Sequence, residues 1–205
     1  MKKRIATVKR KTKETDITVE LNIDGSGKAK ISTGIGILDH MLELFAFHGL
    51  FDLDIAAKGD LKIDMHHTNE DIGIVLGEAF KKALQDKKSI KRFGSASVPM
   101  EEVVANVTVD ISGRSSFNLT GWDGQTVFGI ILEAKEGYEF KDLVHLLDSF
   151  AKHLGMNLNI KVEPISRDLH TTLEPIFKAL GIALDLAMQI DPRRKGVPST
   201  KGVID

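Results

Sequence analysis

The sequence predicts an α+β fold made of two copies of one half-domain, each a small sheet with two helices on one face. Internal repetition is the first reason. "LDHMLELFAFHG" (Leu38 to Gly49) lies over "LVHLLDSFAKHLG" (Leu143 to Gly155), matching Leu38/Leu143, His40/His145, Leu42/Leu147, Phe45/Phe150, Ala46/Ala151 and His48/His153. Downstream, "HHTNEDIGIVLG" lies over "HTTLEPIFKALG", matching His66/His170, Thr68/Thr172, Glu70/Glu174, Ile72/Ile176 and Gly77/Gly181. The first motif leads the second by 26 residues in one half (His40 to His66) and 25 in the other (His145 to His170). The second reason is the order of hydrophobic periods, which runs strand, strand, helix, strand, helix and then repeats.

The elements follow in chain order. "ITVELNIDGSGKAKIST" alternates around a Gly-containing turn and predicts a hairpin. Residues 35–48 are apolar at helical spacing, "FDLDIAAKGDLKID" returns to alternation, and 66–86 is a long helix closing on "LQDKK". In the second half, "EEVVANVTVDISG" and a less regular stretch near 116–134 precede a helix over 140–154, the strand "MNLNIKV" and a helix over 169–189. Both helices of a half are expected on one face of its sheet, leaving the other face to pack against its twin. The domain reading is 1–94, 95–190 and a basic, Pro/Gly-rich arm over 191–205.

Composition narrows the function classes. The 205 residues carry a formal net charge of −1, so no strongly charged partner is implied. The basic start "MKKRIATVKRKTK" reads as a solvated edge strand guarded by lysines. One Trp and one Tyr offer no stacking platform, so nucleic acid is not expected. There is no cysteine, which removes disulfides and thiolate metal sites. No apolar run reaches the ~18 residues of a membrane span and no secretory h-region follows the basic start, so the expected compartment is the cytoplasm and no membrane is involved.

Residues four apart on a helix share a face, so His66/Glu70 and His170/Glu174 are each placed to converge on one divalent cation. A lone pair of this kind is more often a helix ion pair. Two copies, each preceded at matched distance by a histidine in an apolar helix (His40, His145), point instead to ligation. His67 stands about 100° round the helix from His66 and would feed a neighbouring ion. Nitrogen and carboxylate donors without sulfur favour Mn, Fe, Co, Ni or Zn. His48 and His153 close their helices beside Gly and read as caps, with His48 near substrate.

"TGIGILDHMLELFAFHGLFDL", "GDLKIDMHHTNEDIGIVLGEAF", "KRFGSASVPM", "VDISGRS", "EPIFKALGIAL" and "PSTKGVI" together resemble the imidazoleglycerol-phosphate dehydratase family of histidine biosynthesis, in family order over nearly the whole chain. The resemblance implies a duplicated four-stranded mixed half with two helices (ribosomal protein S5 domain 2-like), trimers grouped into a 24-subunit shell, and sites between subunits. It implies two Mn2+ ions per site acting on the imidazole ring of a small phosphorylated substrate, loss of the hydroxyl beside the ring, removal of the neighbouring C–H proton by a carboxylate, and no redox cofactor. The metal positions carried over are His40, His66, His67, Glu70, His145, His170 and Glu174. Glu14 is carried over as the proton-abstracting base, and Arg92, Arg114, Lys178, Ser199 and Lys201 as phosphate contacts. His67, Glu70 and Glu174 are expected in the catalytic set, and His40 and His48 beside the substrate. Without the resemblance, Arg92 and Arg114 are ordinary surface charges.

The chain departs from the family pattern mainly in its second half. Thr171 stands where a second ligand histidine is expected, leaving one ion weakly held; Met65 replaces an acidic residue; Asn159 replaces a frequent histidine; "EPISRD" is unusual; and Leu119 to Phe140 is longer than the usual connection. These departures define an alternative, a catalytically impaired paralogue that keeps the oligomeric shell and a structural metal.

Overall fold

The computed structural model describes residues 3–204. The first half contributes β1 (Ile5–Lys11), β2 (Thr15–Asn22), β3 (Ala29–Ser32), α1 (Gly36–His48), β4 (Asp52–Gly59) and α2 (Met65–Leu84). The second contributes β5 (Phe93–Met100), β6 (Val103–Asp110), β7 (Ser116–Leu119), α3 (Phe140–Leu154), β8 (Asn157–Val162) and α4 (Leu169–Met188). The two sheets have the same order, β1-β2-β4-β3 and β5-β6-β8-β7, with β3/β4 and β7/β8 parallel and the other neighbours antiparallel. The duplicated α+β architecture is therefore present in full.

The halves meet differently from the sequence expectation. Helix packs on helix, α2 on α3 and α1 on α4, so four helices lie between two outer sheets. The strands show why. β2 buries Ile17, Val19 and Leu21 but turns Asp16 and Glu20 outward, and β6 buries Val103, Ala105, Val107 and Val109 while exposing Asn106 and Thr108. Only one face of each sheet is apolar, and its own helices use it. The helices carry the second apolar surface: Phe45 meets Phe51, Phe80 and Phe150 at ring-centroid distances of 5.2, 5.8 and 6.1 Å. Such ring pairs add about 0.5–1.5 kcal/mol each beyond their buried area.

Close approach of the helices depends on repeat-related glycines. A Cβ on Gly77 would lie 2.8 Å from the Phe150 carbonyl oxygen, and one on Gly181 would lie 2.5 Å from that of Phe45. Gly77/Gly181 and Phe45/Phe150 are repeat mates, so the same crossing is built twice.

Three local expectations are corrected. First, 17–33 is not a hairpin, because β4 lies between β2 and β3. The Asp52 carboxylate at the start of β4 accepts from the amides of Ser26 (2.8 Å) and Lys28 (3.2 Å), and this draws the connecting loop around β4. The true hairpin is β1–β2, closed by Thr12 N donating to Thr15 O at 2.9 Å. Second, "FGSASVPM" forms edge strand β5, hidden in the sequence by its serines and by Pro99, which an edge position tolerates. Third, only Ser116–Leu119 of the 116–134 stretch is a strand.

The long connection to α3 is nonetheless anchored. Tyr138 is 1% exposed and its hydroxyl donates to Asn69 Oδ1 (3.0 Å), while Asn69 Nδ2 donates to Asp142 O (2.6 Å). Tyr138→Phe removes the donor from a buried amide oxygen, at a cost of about 1–3 kcal/mol. The expected result is a lower urea midpoint with an unchanged m-value.

The arm folds back on the connection between α2 and β5, with Ser89 N donating to Gly196 O (2.8 Å) and Ser89 Oγ to Arg194 O (2.8 Å). No helix among the described residues is long and apolar enough to cross a membrane.

Candidate metal centre

α4 starts at Asp168, whose carboxylate caps it by accepting from Thr171 N at 2.8 Å. That start sets His170 and Glu174 one turn apart on the side facing α1, which supplies His40. The His40 and His170 rings stack with centroids 5.3 Å apart and planes 5° from parallel. His40 Nε2 lies 3.7 Å and His170 Nε2 3.3 Å from Glu174 Oε2. One donor atom from each residue falls within 4.8 Å of the others. Two imidazoles and a carboxylate so gathered fit a borderline divalent cation such as manganese or zinc. Partial burial works to raise the Glu174 carboxyl, but Lys178 on its other oxygen, with His170 and His40, outweighs burial and holds it below the usual carboxylate range. Glu174 is thus kept anionic, as a ligand must be.

The repeat builds a second cluster from α2 and α3. Asp64 caps α2 by accepting from His66 N (2.8 Å), and His66 Nδ1 then lies 3.0 Å from His145 Nδ1. Glu70 Oε2 is 3.7 Å from the opposite nitrogen, His66 Nε2. Because His66 addresses its two neighbours with different nitrogens, this cluster is more open than the first. His67 stands apart, its ring 6.4 Å from that of His66, with Nδ1 3.2 Å from both Asp60 oxygens. The bond to Asp60 raises the His67 pKa above the ordinary imidazole value, against a smaller burial effect, and the charge of exposed Glu14 adds to the rise.

Each cluster draws on both halves: His40 of the first meets Glu174 and stacks on His170 of the second, and His145 of the second meets His66 of the first, whose other ring nitrogen faces Glu70. The helix–helix contact between halves is what brings them together.

The remaining predicted residues divide into two groups. His48 lies with Lys178 and Glu174; burial lowers its pKa, Lys178 adds to the fall and Glu174 opposes it. Its expected capping role is taken by the backbone of Gly49, as that of His153 is by Gly155, and His153 instead faces Glu78 at 3.7 Å. Arg92, Ser199 and Lys201 gather at the far end of α4. Arg92 N donates to Ala187 O (2.8 Å), its guanidinium pairs with Asp110 (2.6 and 2.9 Å), and it donates to Pro198 O (3.1 Å) just before Ser199. Arg114 is exposed and makes no side-chain ion pair among the described residues. At 1.5 Å per residue, Ala187 is about 25 Å along α4 from His170. A cleft of about 930 Å³ lined by Arg4, Asp24, Leu50, Asp86 and Gln189 holds none of the candidate ligands.

A family model described as imidazoleglycerol-phosphate dehydratase matches residues 33–184. The chain belongs to the imidazoleglycerol-phosphate dehydratase family. Membership places it among the hydro-lyases. A Thermoanaerobacter sp. protein named imidazoleglycerol-phosphate dehydratase is 52% identical over 201 residues, 98% of this chain and 100% of that one. One from Methanocella arvoryzae is 51% identical over 203 residues, again 98% and 100%. The crystal structure of imidazoleglycerol-phosphate dehydratase from Pyrococcus furiosus superposes with a TM-score of 0.78 at 38% identity, covering 96% of this chain and 99% of that one. The Staphylococcus aureus structure gives 0.78 at 30%, covering 91% and 99%.

Among this dehydratase family member's departures, Thr171 has a local use, since its hydroxyl donates to the capping Asp168 Oδ1 at 2.9 Å. Met65 packs toward Gly137 of the long connection, and Asn159 sits exposed on the outer face of the second sheet. Sequence reasoning missed Asp60, the His67 partner, which ends an alternating strand and carries no signal of its own. It also missed Asp71, 8% exposed on the buried side of α2 between Thr68, Ile72 and Val75. A carboxylate inside an apolar stripe was the available signal there.

In metal-free protein His67 is expected to titrate above the ordinary imidazole value and to fall back in Asp60→Asn, checked by NMR titration. The pair's contribution to stability is complete below the ordinary value and fades as pH rises through the raised one.

Proposed function

We propose that the chain dehydrates D-erythro-imidazoleglycerol phosphate to imidazoleacetol phosphate and water in histidine biosynthesis, metal-dependently, in the cytoplasm. The observation that carries this is the convergence of His40, His170 and Glu174 on one point. Those residues would hold one divalent ion and His66, Glu70 and His145 a second, while His67, which stands apart, would serve a neighbouring ion; Mn2+ is the proposed metal. Bound ions supply Lewis acidity at the ring nitrogens. His67, held through Nδ1 by Asp60, keeps Nε2 as its free donor. Glu14, exposed beside His67, takes the C–H proton from the carbon next to the one bearing the departing hydroxyl. The electron pair closes a carbon–carbon double bond, the hydroxyl takes a proton from solvent and leaves as water, Glu14 returns its proton to solvent, and the enol tautomerises to the ketone.

Phosphate recognition is assigned to Arg92, Arg114, Lys178, Ser199 and Lys201. Standard bond lengths make the substrate roughly 10 Å long, much less than the distance along α4 between His170 and the Arg92 group. Both groups serve one substrate only if a second copy of the chain supplies one of them, which supports sites between subunits; trimers grouped into a 24-subunit shell are the proposed assembly. His40 and Glu70, 45% and 49% exposed in the single chain, are left open for such a neighbour.

Elemental analysis with a turnover assay on purified protein tests the proposal. Two ions per chain with turnover supports it. One ion without turnover supports the impaired paralogue, the reading favoured by the commitment of the Thr171 hydroxyl to its own helix cap.

A further inference from the structure

We infer that the buried Asp71 carboxylate, acting through Thr15, sets the position of Glu14 against α2, so that Asp71 and Thr15 are positioning residues for proton removal. The inference rests on Glu14 being the base and adds what holds it in place.

Glu14 sits in the turn of the β1–β2 hairpin, and its carboxylate makes no hydrogen bond or ion pair among the described residues. Its reach is therefore fixed by backbone alone. That backbone is tied twice. Thr12 Oγ1 accepts from Glu14 N at 3.0 Å and from Thr15 N at 2.9 Å, which closes the turn on itself. Thr15, only 3% exposed, then donates from Oγ1 to Asp71 Oδ2 at 2.5 Å. The other Asp71 oxygen accepts from Arg10 Nε at 2.8 Å. One carboxylate thus grips the hairpin on both sides of the turn.

Asp71 follows Glu70 directly and lies one helical turn beyond His67. The base and the candidate ligands of α2 are in this way referenced to the same two turns of helix. Packing does not require the arrangement. An apolar residue at a buried helical position would avoid the desolvation of a carboxylate, and exchanging buried ionic groups for apolar ones is often neutral or stabilising. Proton abstraction does require it, since a displacement of about 1 Å costs up to a hundredfold in rate.

The test uses the full-length chain. Thr15→Val removes the hydroxyl at nearly constant volume and is expected to lower kcat about tenfold to a hundredfold with KM and metal content close to those of the unaltered chain, and to lower Tm modestly because one Asp71 oxygen loses its donor. Asp71→Asn is expected to lower kcat likewise, and Thr15→Ser to restore it. In a Glu14→Gln background, Thr15→Val should have almost no further effect, because the two act as one unit. A fall in Tm alone, or an equal loss of kcat in both backgrounds, overturns the inference. If Glu14→Gln loses turnover while Thr15→Val does not, positioning fails and the base assignment stands. Full turnover in Glu14→Gln removes the base assignment and this inference with it.

Discussion

Glu174→Gln is expected to abolish turnover, by about three orders of magnitude or more, while leaving the chain folded. The substitution keeps size and shape but replaces an anion held among His40, His170 and Lys178 by a neutral amide. The amide presents one oxygen and one NH2, so a histidine then faces a donor where it had an acceptor. Loss of a divalent Lewis acid removes several kcal/mol of transition-state stabilisation, and three decades correspond to about 4 kcal/mol. Calorimetric titration with Mn2+ should show one binding event fewer per chain than the unaltered protein. Retention of both events, with normal turnover, would sink the ligand role of Glu174.

Gly181→Val should unfold the molecule or cost about 3 kcal/mol or more. The new Cβ would meet Phe45 O at 2.5 Å and Gly49 N at 2.9 Å, both backbone atoms of α1 or its cap that no rotamer change moves aside. The helices must separate, and Phe45 then loses its contacts with Phe51, Phe80 and Phe150. Any chain that does fold should also bind metal less tightly, because α1 carries His40 away from His170 and Glu174. Gly77→Val tests the mirror crossing, where the Cβ meets Phe150 O at 2.8 Å and Leu154 N at 2.9 Å. Denaturant midpoints and Mn2+ affinity measured on the same samples read both effects. Unchanged values for both variants would mean that the crossings are looser than described.

Much of this was legible in the sequence because repetition encodes symmetry. The mates His40/His145, His66/His170 and Glu70/Glu174 needed no structure to be paired as equivalents. What the sequence left open was which members touch, since equivalence does not reveal that each cluster exchanges partners between halves. The interface differs from expectation because the outer faces of β2 and β6 carry polar residues such as Asp16, Glu20, Asn106 and Thr108, so the helices and not the sheets supply the surface between halves. β5 stayed hidden because Ser95, Ser97 and Pro99 break the apolar pattern that an edge strand can do without. Asp60 and Asp71 stayed hidden because a carboxylate that orients another side chain looks the same in sequence as one facing water.

The exchange of partners between halves bears on descent. A single half-domain pairing with an identical copy about a two-fold axis would assemble two equal clusters, each borrowing one histidine from the other molecule. Neither would exist in an isolated half. Fusing the halves into one polypeptide turns that borrowing into an internal arrangement and frees the two clusters to change independently. His67 on one side and Thr171 on the other are a divergence that an unfused pair of identical molecules could not have accumulated.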